Sequence, residues 1–445
     1  MKTDGDGMKK VLYSTALFIF LFLVSGSPVA QVILSGDITV HMDSIMTAIP
    51  GATPSGMYLQ PGISSRALWH QMIADIMTEN YAEAHDSALT INYRLVQFTD
   101  NASVPEQVYY ILERTPESSS RYWGTFVFNP DARRRQLVIQ SPHARYDRNT
   151  GYQGWRVFKT AGARAFFVNG IHRCNGETAT PCDGTTTVCT DEAQAYRYSD
   201  QPHVVNSTFQ ITTEEMLAVI PDMIVVQPHG FTKGDDDPDI IMSNGTRYTP
   251  DGVDYMPALR DNLLLQDEEL TFKIAHIDTD WIRLIARTNT QGRLLNGSPD
   301  PCGTYASAAS GQFYHLEQAY SGLRNSEANW NKLVNAVVLT FPEDNPLAVD
   351  DDDPPVLPRS SQVYQNYPNP FNPSTVISYS LAERCDVRIT IINTRGQKVQ
   401  TLVHERQAPG RHQVAFNGSD LGSGVYFYTV AAGTELHTGK MVLLK

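Results

Sequence analysis

The sequence predicts a mixed-sheet α/β/α domain followed by a small β-sandwich of the Ig-like kind, and three observations predict it. Short continuous apolar runs, "ARAFFVNG", "DMIVVQPHG" and "GQFYHLEQ", alternate with segments of helical spacing. Strands buried on both faces read as such unbroken runs, and helices supply the cover. An acidic, proline-rich segment then interrupts the chain, and beyond it the pattern changes to alternating strands separated by turns.

The α/β elements follow in order. "RALWHQMIADIMTENYAEAH" spaces Leu68, Met72, Ile73 and Ile76 as one helical face. "RYWGTFVFNPDARRRQLVIQSPH" reads as a hairpin turning at Asn129-Pro130-Asp131. "SEANWNKLVNAVVLTF" is a closing helix with Ser326 as its N-cap. In such sheets ligands gather at the carboxyl ends of strands, and three of these strands end in His or Glu.

Length and charge set the outer bounds. At 445 residues the chain exceeds one ordinary domain. A formal charge of −13 argues against nucleic acid, whose phosphates require clustered Lys and Arg. Lys9 and Lys10 precede the apolar run Val11 to Val24 and then "SGSPVA", the layout of an export signal, with cleavage expected after Ala30. A membrane anchor is the alternative, but the run is short for a span. The five cysteines fit an exported protein. Two disulfides are expected among Cys174, Cys182, Cys189 and Cys302, with the pairing open and Cys385 apart. No C-x-x-C pair occurs to suggest a zinc cluster.

The expected organisation is a signal over 1–30, a catalytic domain over 31–341, a linker over 342–362 and a terminal domain over 363–445. "PEDNPLAVDDDDPPVLPRSSQ" holds four successive aspartates and five prolines, which form a self-repelling linker and not a core. After it, "NYPNPFNPST", "IINTRGQKV", "SGVYFYTV" and the final "GKMVLL" resemble the C-terminal sorting domain of the type IX secretion system. The resemblance implies the secretion machinery as a partner, delivery to the outer cell surface or beyond, and frequent removal of the tail. A carbohydrate-binding module is the alternative, yet Tyr426, Phe427 and Tyr428 alternate along a strand as core residues do.

The chemistry concentrates at strand ends. His143 and Asp147 lie four residues apart after one strand, His229 ends another, and Glu317 ends a third. Two imidazoles and a carboxylate make a three-ligand metal set that leaves a position for water, and a separate Glu can accept that water's proton. The bland alternative is a polar cluster at strand ends.

The series H-x-x-x-acid, strand-His-Gly, "TNTQGR" and strand-Leu-Glu is similar to zinc carboxypeptidase-like amidohydrolases, among them phage poly-γ-glutamate hydrolases and, more loosely, N-formylglutamate amidohydrolases. The similarity runs from about Gln136 to Tyr320. It implies a zinc-carboxypeptidase-like fold, Zn2+ held by His143, Asp147 and His229, and Glu317 as general base. It further implies that Asn289 and Arg293 hold a substrate carboxylate. Asp147 departs from the family's Glu, and "GIHRCNGETATPCDGTTTVC" has no counterpart there.

Around this set, Arg145 and Arg148 either bind an anionic substrate or solvate their loop. His172 and His315 are possible cleft residues, the latter facing the same way as Glu317. His203 falls in a polar stretch and is expected to be exposed. Ser141 and Ser243 lack the G-x-S-x-G setting of a serine hydrolase. The expectation is therefore a secreted zinc-dependent hydrolase of an amide, peptide or γ-glutamyl bond, with no nucleic acid and no stable membrane span. A non-catalytic secreted or cell-surface binding protein is the rival.

Overall fold

The computed structural model describes residues 32–53, 57–118, 120–344, 362–363, 366, 369–381, 384–407 and 410–445. The expected signal over 1–30 and most of the linker, including the aspartate run, lie outside the described residues. No described helix is long and apolar enough to cross a membrane.

The first domain opens with β1 (Val32–Gly36), α1 (Ile38–Thr47), α2 (Ile63–Met77) and α3 (Tyr81–Leu89). The helical pattern expected over residues 66–85 is thus two helices. They part at Thr78 to Asn80, where Glu79 takes a left-handed φ of 64° that no α-helix continues through. β2 (Tyr93–Asp100), β3 (Gln107–Arg114), β4 (Thr125–Phe128), β5 (Arg134–Ser141), α4 (Thr150–Ala161) and β6 (Ala163–Val168) follow. A small hairpin, β7 (Thr185–Thr186) and β8 (Gln194–Ala195), precedes α5 (Thr208–Val219), β9 (Ile224–Gly230) and β10 (Ile240–Ser243). α6 (Met256–Leu264), β11 (Phe272–Ile274), α7 (Thr290–Leu295), β12 (Phe313–Gln318) and α8 (Glu327–Thr340) complete it, with Ser326 capping α8 by accepting from Asn329 N.

Ten strands form one mixed sheet in the order β1-β2-β3-β4-β6-β5-β9-β12-β10-β11. The expected hairpin of residues 121–143 is not formed. β6 inserts between β4 and β5, antiparallel to the first and parallel to the second. Proximity in sequence favours a hairpin, but α4 returns the chain so that β6 pairs with both. β6, β5, β9 and β12 are mutually parallel, so their carboxyl ends share one edge.

Both faces are covered. Helices α1, α4, α6 and α8 pack on Leu137, Ile139, Val226 and Leu316. Helices α2, α3, α5 and α7 pack on Val138, Phe167, Val225 and Phe313. Trp69 of α2 lies edge-on to Tyr93, Trp123 and Phe126 in this second core. Along that second face each central strand turns from apolar to polar toward its carboxyl end. Val138, Val225 and Phe313 give way to Gln140, Gln227 and His315, and then His229 and Glu317 appear. Strand periodicity of two keeps these side chains on one face, so the core grades directly into a polar floor.

In the terminal domain β13 (Gln362–Val363), β14 (Ser374–Leu381) and β17 (Gly410–Asn417) form one antiparallel sheet. β15 (Cys385–Asn393), β16 (Lys398–Gln407), β18 (Gly424–Ala432) and β19 (Glu435–Leu443) form the other. Ile377, Tyr379 and Phe416 of the first meet Ile389, Tyr428 and Leu443 of the second in a shared core. Tyr428 is buried there and Tyr426 packs against it, as core residues should.

Candidate metal centre

Backbone geometry brings the first two residues together. Asp147 N donates to His143 O at 2.8 Å, closing one turn after β5. Residues four apart on such a turn share a face, so both side chains point the same way. β9 lies beside β5 and delivers His229, and its register with β12 sets His229 opposite Glu317. All four side chains are buried.

Three atoms converge. His143 Nδ1 and His229 Nδ1 stand 3.1 Å apart, Asp147 Oδ2 is 3.2 Å from His229 Nδ1, and it is 3.3 Å from His143 Nδ1. Tetrahedral zinc with ligand bonds of about 2.0–2.1 Å has ligand–ligand edges of about 3.3 Å. The triangle therefore fits such an ion, with the fourth position left open.

The hydrogen bonds behind the rings make the fit more specific. His143 Nε2 donates to Asp200 Oδ1 at 2.7 Å, since an ionised carboxylate can only accept. His229 Nε2 faces Gln227 Oε1 at 3.4 Å, and that oxygen also accepts from Asn289 Nδ2 at 2.7 Å. With both Nε2 atoms facing acceptors, each neutral ring turns an Nδ1 lone pair toward the other. Two facing lone pairs beside a carboxylate suit a cation between them, either a proton or a metal.

Electrostatics agree. Burial and the Arg173 charge disfavour the His143 imidazolium, yet Asp200 and Asp147 outweigh them and hold its pKa above the ordinary value. Burial would raise Asp147, but His143 and His229 hold it well below the usual carboxylate range. Burial pushes His229 down to about 4. Asp200 is likewise kept ionised against burial by Arg173 and His143.

Glu317 stands just outside the triangle. Its Oε2 is buried without a hydrogen-bond partner, and its Oε1 lies 3.6 Å from His315 Nε2. Burial and then the Asp147 charge push its carboxyl up to about 8. Glu317 also groups with His229 and His315 as a second set able to hold a metal. His315 lies beside the triangle, its ring 4.4 Å from that of His229.

The expected substrate residues fare differently. Arg293 does not face the site. Its guanidinium pairs with Asp183 at 2.5 Å and donates to the carbonyls of Arg287, Pro301 and Cys302. Asn289 caps α7 through Gly292 N, donates to Gln227, and lines the smaller of the two cavities beside His229 and Glu317. Arg145 is exposed, with no part in the cleft, whereas Arg148 lines it beside Tyr320. His172 is half-buried outside both cavities, its Nδ1 accepting from Cys174 N. His203 is not exposed. It stacks on Tyr196 at 3.5 Å, donates toward Thr288 O, and burial pushes it down to about 3. Ser141 is structural, donating to Thr150 O.

Two residues of the cluster escaped the sequence reading, Asp200 and Arg173. Arg173 binds Asp200 through two nitrogens at 2.6 and 3.1 Å, and its Nη1 lies 3.4 Å from His143 Nδ1. The strand-end rule applied to β6 points at both His172 and Arg173, and only burial separates them. Asp200 carries no periodic signal, because it lies in a loop 57 residues from His143 in sequence. Carboxylates behind ligating imidazoles typically set metal affinity by about tenfold to a hundredfold. Asp200→Asn is expected to weaken zinc binding by that order in a chelator-competition titration, and unchanged affinity would remove Asp200 from the centre.

The segment 170–189 is now placed. Cys174–Cys189 and Cys182–Cys302 staple the β7–β8 hairpin to the chain after β6 and to the loop after α7. The hairpin borders two cavities of about 1070 Å³ and about 480 Å³, which share Arg173, Thr187, Val188, Leu284 and Glu317.

Comparison with known proteins adds one firm identification. No curated protein matches the chain. Among solved structures, the Ig1 domain of mouse SynCAM 2 is 9% identical, covers 19% of this chain and 94% of its own, and has a TM-score of 0.14. Catalytically inactive OgpA from Akkermansia muciniphila, solved with an O-glycopeptide substrate, is 9% identical over 70% of this chain and 92% of its own, with a TM-score of 0.14. At these scores neither likeness bears on fold or chemistry. Residues 365–444, by contrast, match the family described as secretion system C-terminal sorting domain. The two-sheet unit that closes the chain is therefore a type IX sorting domain, and the protein is one exported to the outer cell surface or beyond.

Proposed function

We propose that the α/β domain is a zinc-dependent amide hydrolase of the carboxypeptidase-like kind, acting outside the cell. The observation that carries this reading is the triangle of His143 Nδ1, Asp147 Oδ2 and His229 Nδ1, with edges of 3.1 to 3.3 Å and an unpartnered Glu317 oxygen beside it. Zinc bound there would supply a Lewis acid and a water of lowered pKa. The chain's own residues do the rest. Asp200 and Gln227 fix the two imidazoles in the ligating tautomer. Glu317 takes a proton on its carboxylate and hands it to the departing amine nitrogen. Arg173, a cation lining both cavities, is placed to donate to a substrate carbonyl oxygen. The apolar cores on either side hold these groups rigid.

Metal analysis together with an amide screen tests the reading. Full-length protein loaded with zinc should retain about one equivalent and cleave at least one of four classes: α-peptides, γ-glutamyl chains, cell-wall crosslinks or N-acyl amino acids. A protein that holds zinc at these residues and cleaves none would be the secreted binding protein instead.

A further inference from the structure

The centre lies between two spaces. Asp147 and Glu317 face the larger cavity, while His143, His229 and Glu317 face the smaller. Each, at about 1070 and about 480 Å³, is the size of a whole small-ligand site, typically about 300–1000 Å³. Neither is a slot for one side chain. Thr187 and Val188 of the stapled hairpin border both, so the hairpin crosses above the catalytic groups as a strap with room on either side.

An enzyme that trims a carboxyl terminus needs a free, buried cation in a closed pocket for the terminal carboxylate. Here the buried arginine expected for that task, Arg293, is committed to Asp183. Other cations lining the cavities are also engaged: Arg173 with Asp200, Lys233 with Asp239, Arg283 with Asp237, and Arg324 with the carbonyls of Gln318 and Arg148. Two remain whose guanidinium has neither a carboxylate nor a carbonyl partner among the described residues. Arg148 stands exposed on the larger cavity and Arg287 exposed on the smaller. Such cations, one on each side and open to water, suit groups along a chain and not one sequestered terminus.

We propose that this is an endo-acting enzyme. It holds an extended polyamide on both sides of the scissile bond, passed beneath the strap, and cuts it internally. The proposal rests on the amide-hydrolase reading above. One water is consumed per cut: the C–N bond breaks, hydroxide oxygen joins the carbonyl carbon, and the water's proton goes to the amine nitrogen. A folded protein cannot pass beneath a covalently pinned strap, so unfolded or flexible chains are the substrate class.

The test uses zinc-loaded full-length protein and a ten-residue peptide in two forms, one with free termini and one N-acetylated and C-amidated, beside a γ-glutamyl oligomer of similar length. Mass spectrometry follows the products. Both forms of the cleaved chain should be cut at the same internal bond, at rates within about threefold, because losing a charge-assisted contact to a terminal carboxylate would cost about tenfold or more. The uncleaving Glu317→Gln protein should bind the capped and free forms equally well by calorimetry. Release of single residues from one end, abolished by the cap, would overturn the endo-acting inference and leave the hydrolase reading intact. So would binding by Glu317→Gln that requires the free carboxylate. Zinc retention with no cleavage of any of these chains would remove the hydrolase reading and this inference with it.

Discussion

Glu317→Gln is expected to lower amide turnover by about a hundredfold to ten-thousandfold, the usual cost of losing a general base, while metal content stays at the wild-type level. Glutamine matches glutamate in size, so the packed floor of β12 is kept and no cavity opens. It cannot accept a proton from water and return it to nitrogen. Glu317 contributes none of the three atoms of the ligand triangle, and its Oε2 has no protein partner to lose. Burial beside Asp147 already raises its affinity for a proton, with a pKa pushed up to about 8. Turnover and zinc stoichiometry measured on the same preparation decide the matter. Hydrolysis at the wild-type rate would take Glu317 out of the mechanism.

Asp147→Ala should behave in the opposite way, losing the metal first and activity as a consequence. Asp147 supplies the sole carboxylate of the triangle, 3.2 Å from His229 Nδ1 and 3.3 Å from His143 Nδ1. With it gone, two neutral imidazoles remain and the positive charge of Arg173 stands nearby without that compensation. The loss of affinity should exceed the tenfold to hundredfold or so expected when only a supporting partner of a ligand is changed. Competition against a chromophoric chelator measures it. Zinc binding as tight as in the unaltered protein would show that the ligands lie elsewhere.

Much of this was legible from residue order because it depends on local pattern. Unbroken apolar runs located β5, β6, β9 and β12, and polar residues at the ends of β5, β9 and β12 named His143, Asp147, His229 and Glu317 together. What pattern does not carry is pairing at a distance. The turn at Asn129 to Asp131 looks like a hairpin because its flanks are apolar, but β6 outcompetes the local partner. Arg293 sits in a motif that resembles a carboxylate-binding segment, and Asp183, 110 residues earlier, takes its charge. Gly230 leaves room for the Arg324 guanidinium, which lies where a Cβ would project and is itself held by backbone carbonyls. Asp200 was invisible for the same reason as Asp183: a loop brings it in.

The stapled hairpin also sets an order of events. Cys182 and Cys302 are 120 residues apart. Closing a loop of that length removes roughly 5 kcal/mol of chain entropy from the unfolded ensemble, comparable to the whole net stability of a modest domain. Thiols stay reduced in the cytosol and pair only in oxidising compartments. Before export, the roof of the cleft is thus an open segment whose ordering must be met by packing alone, and Arg293 and Asp183 beneath it have little to hold. After export the crosslink makes that cost vanish. The chain leaves the cytosol with these thiols unpaired, so on the hydrolase reading proposed above the cleft is least complete where newly made, still unfolded proteins surround it.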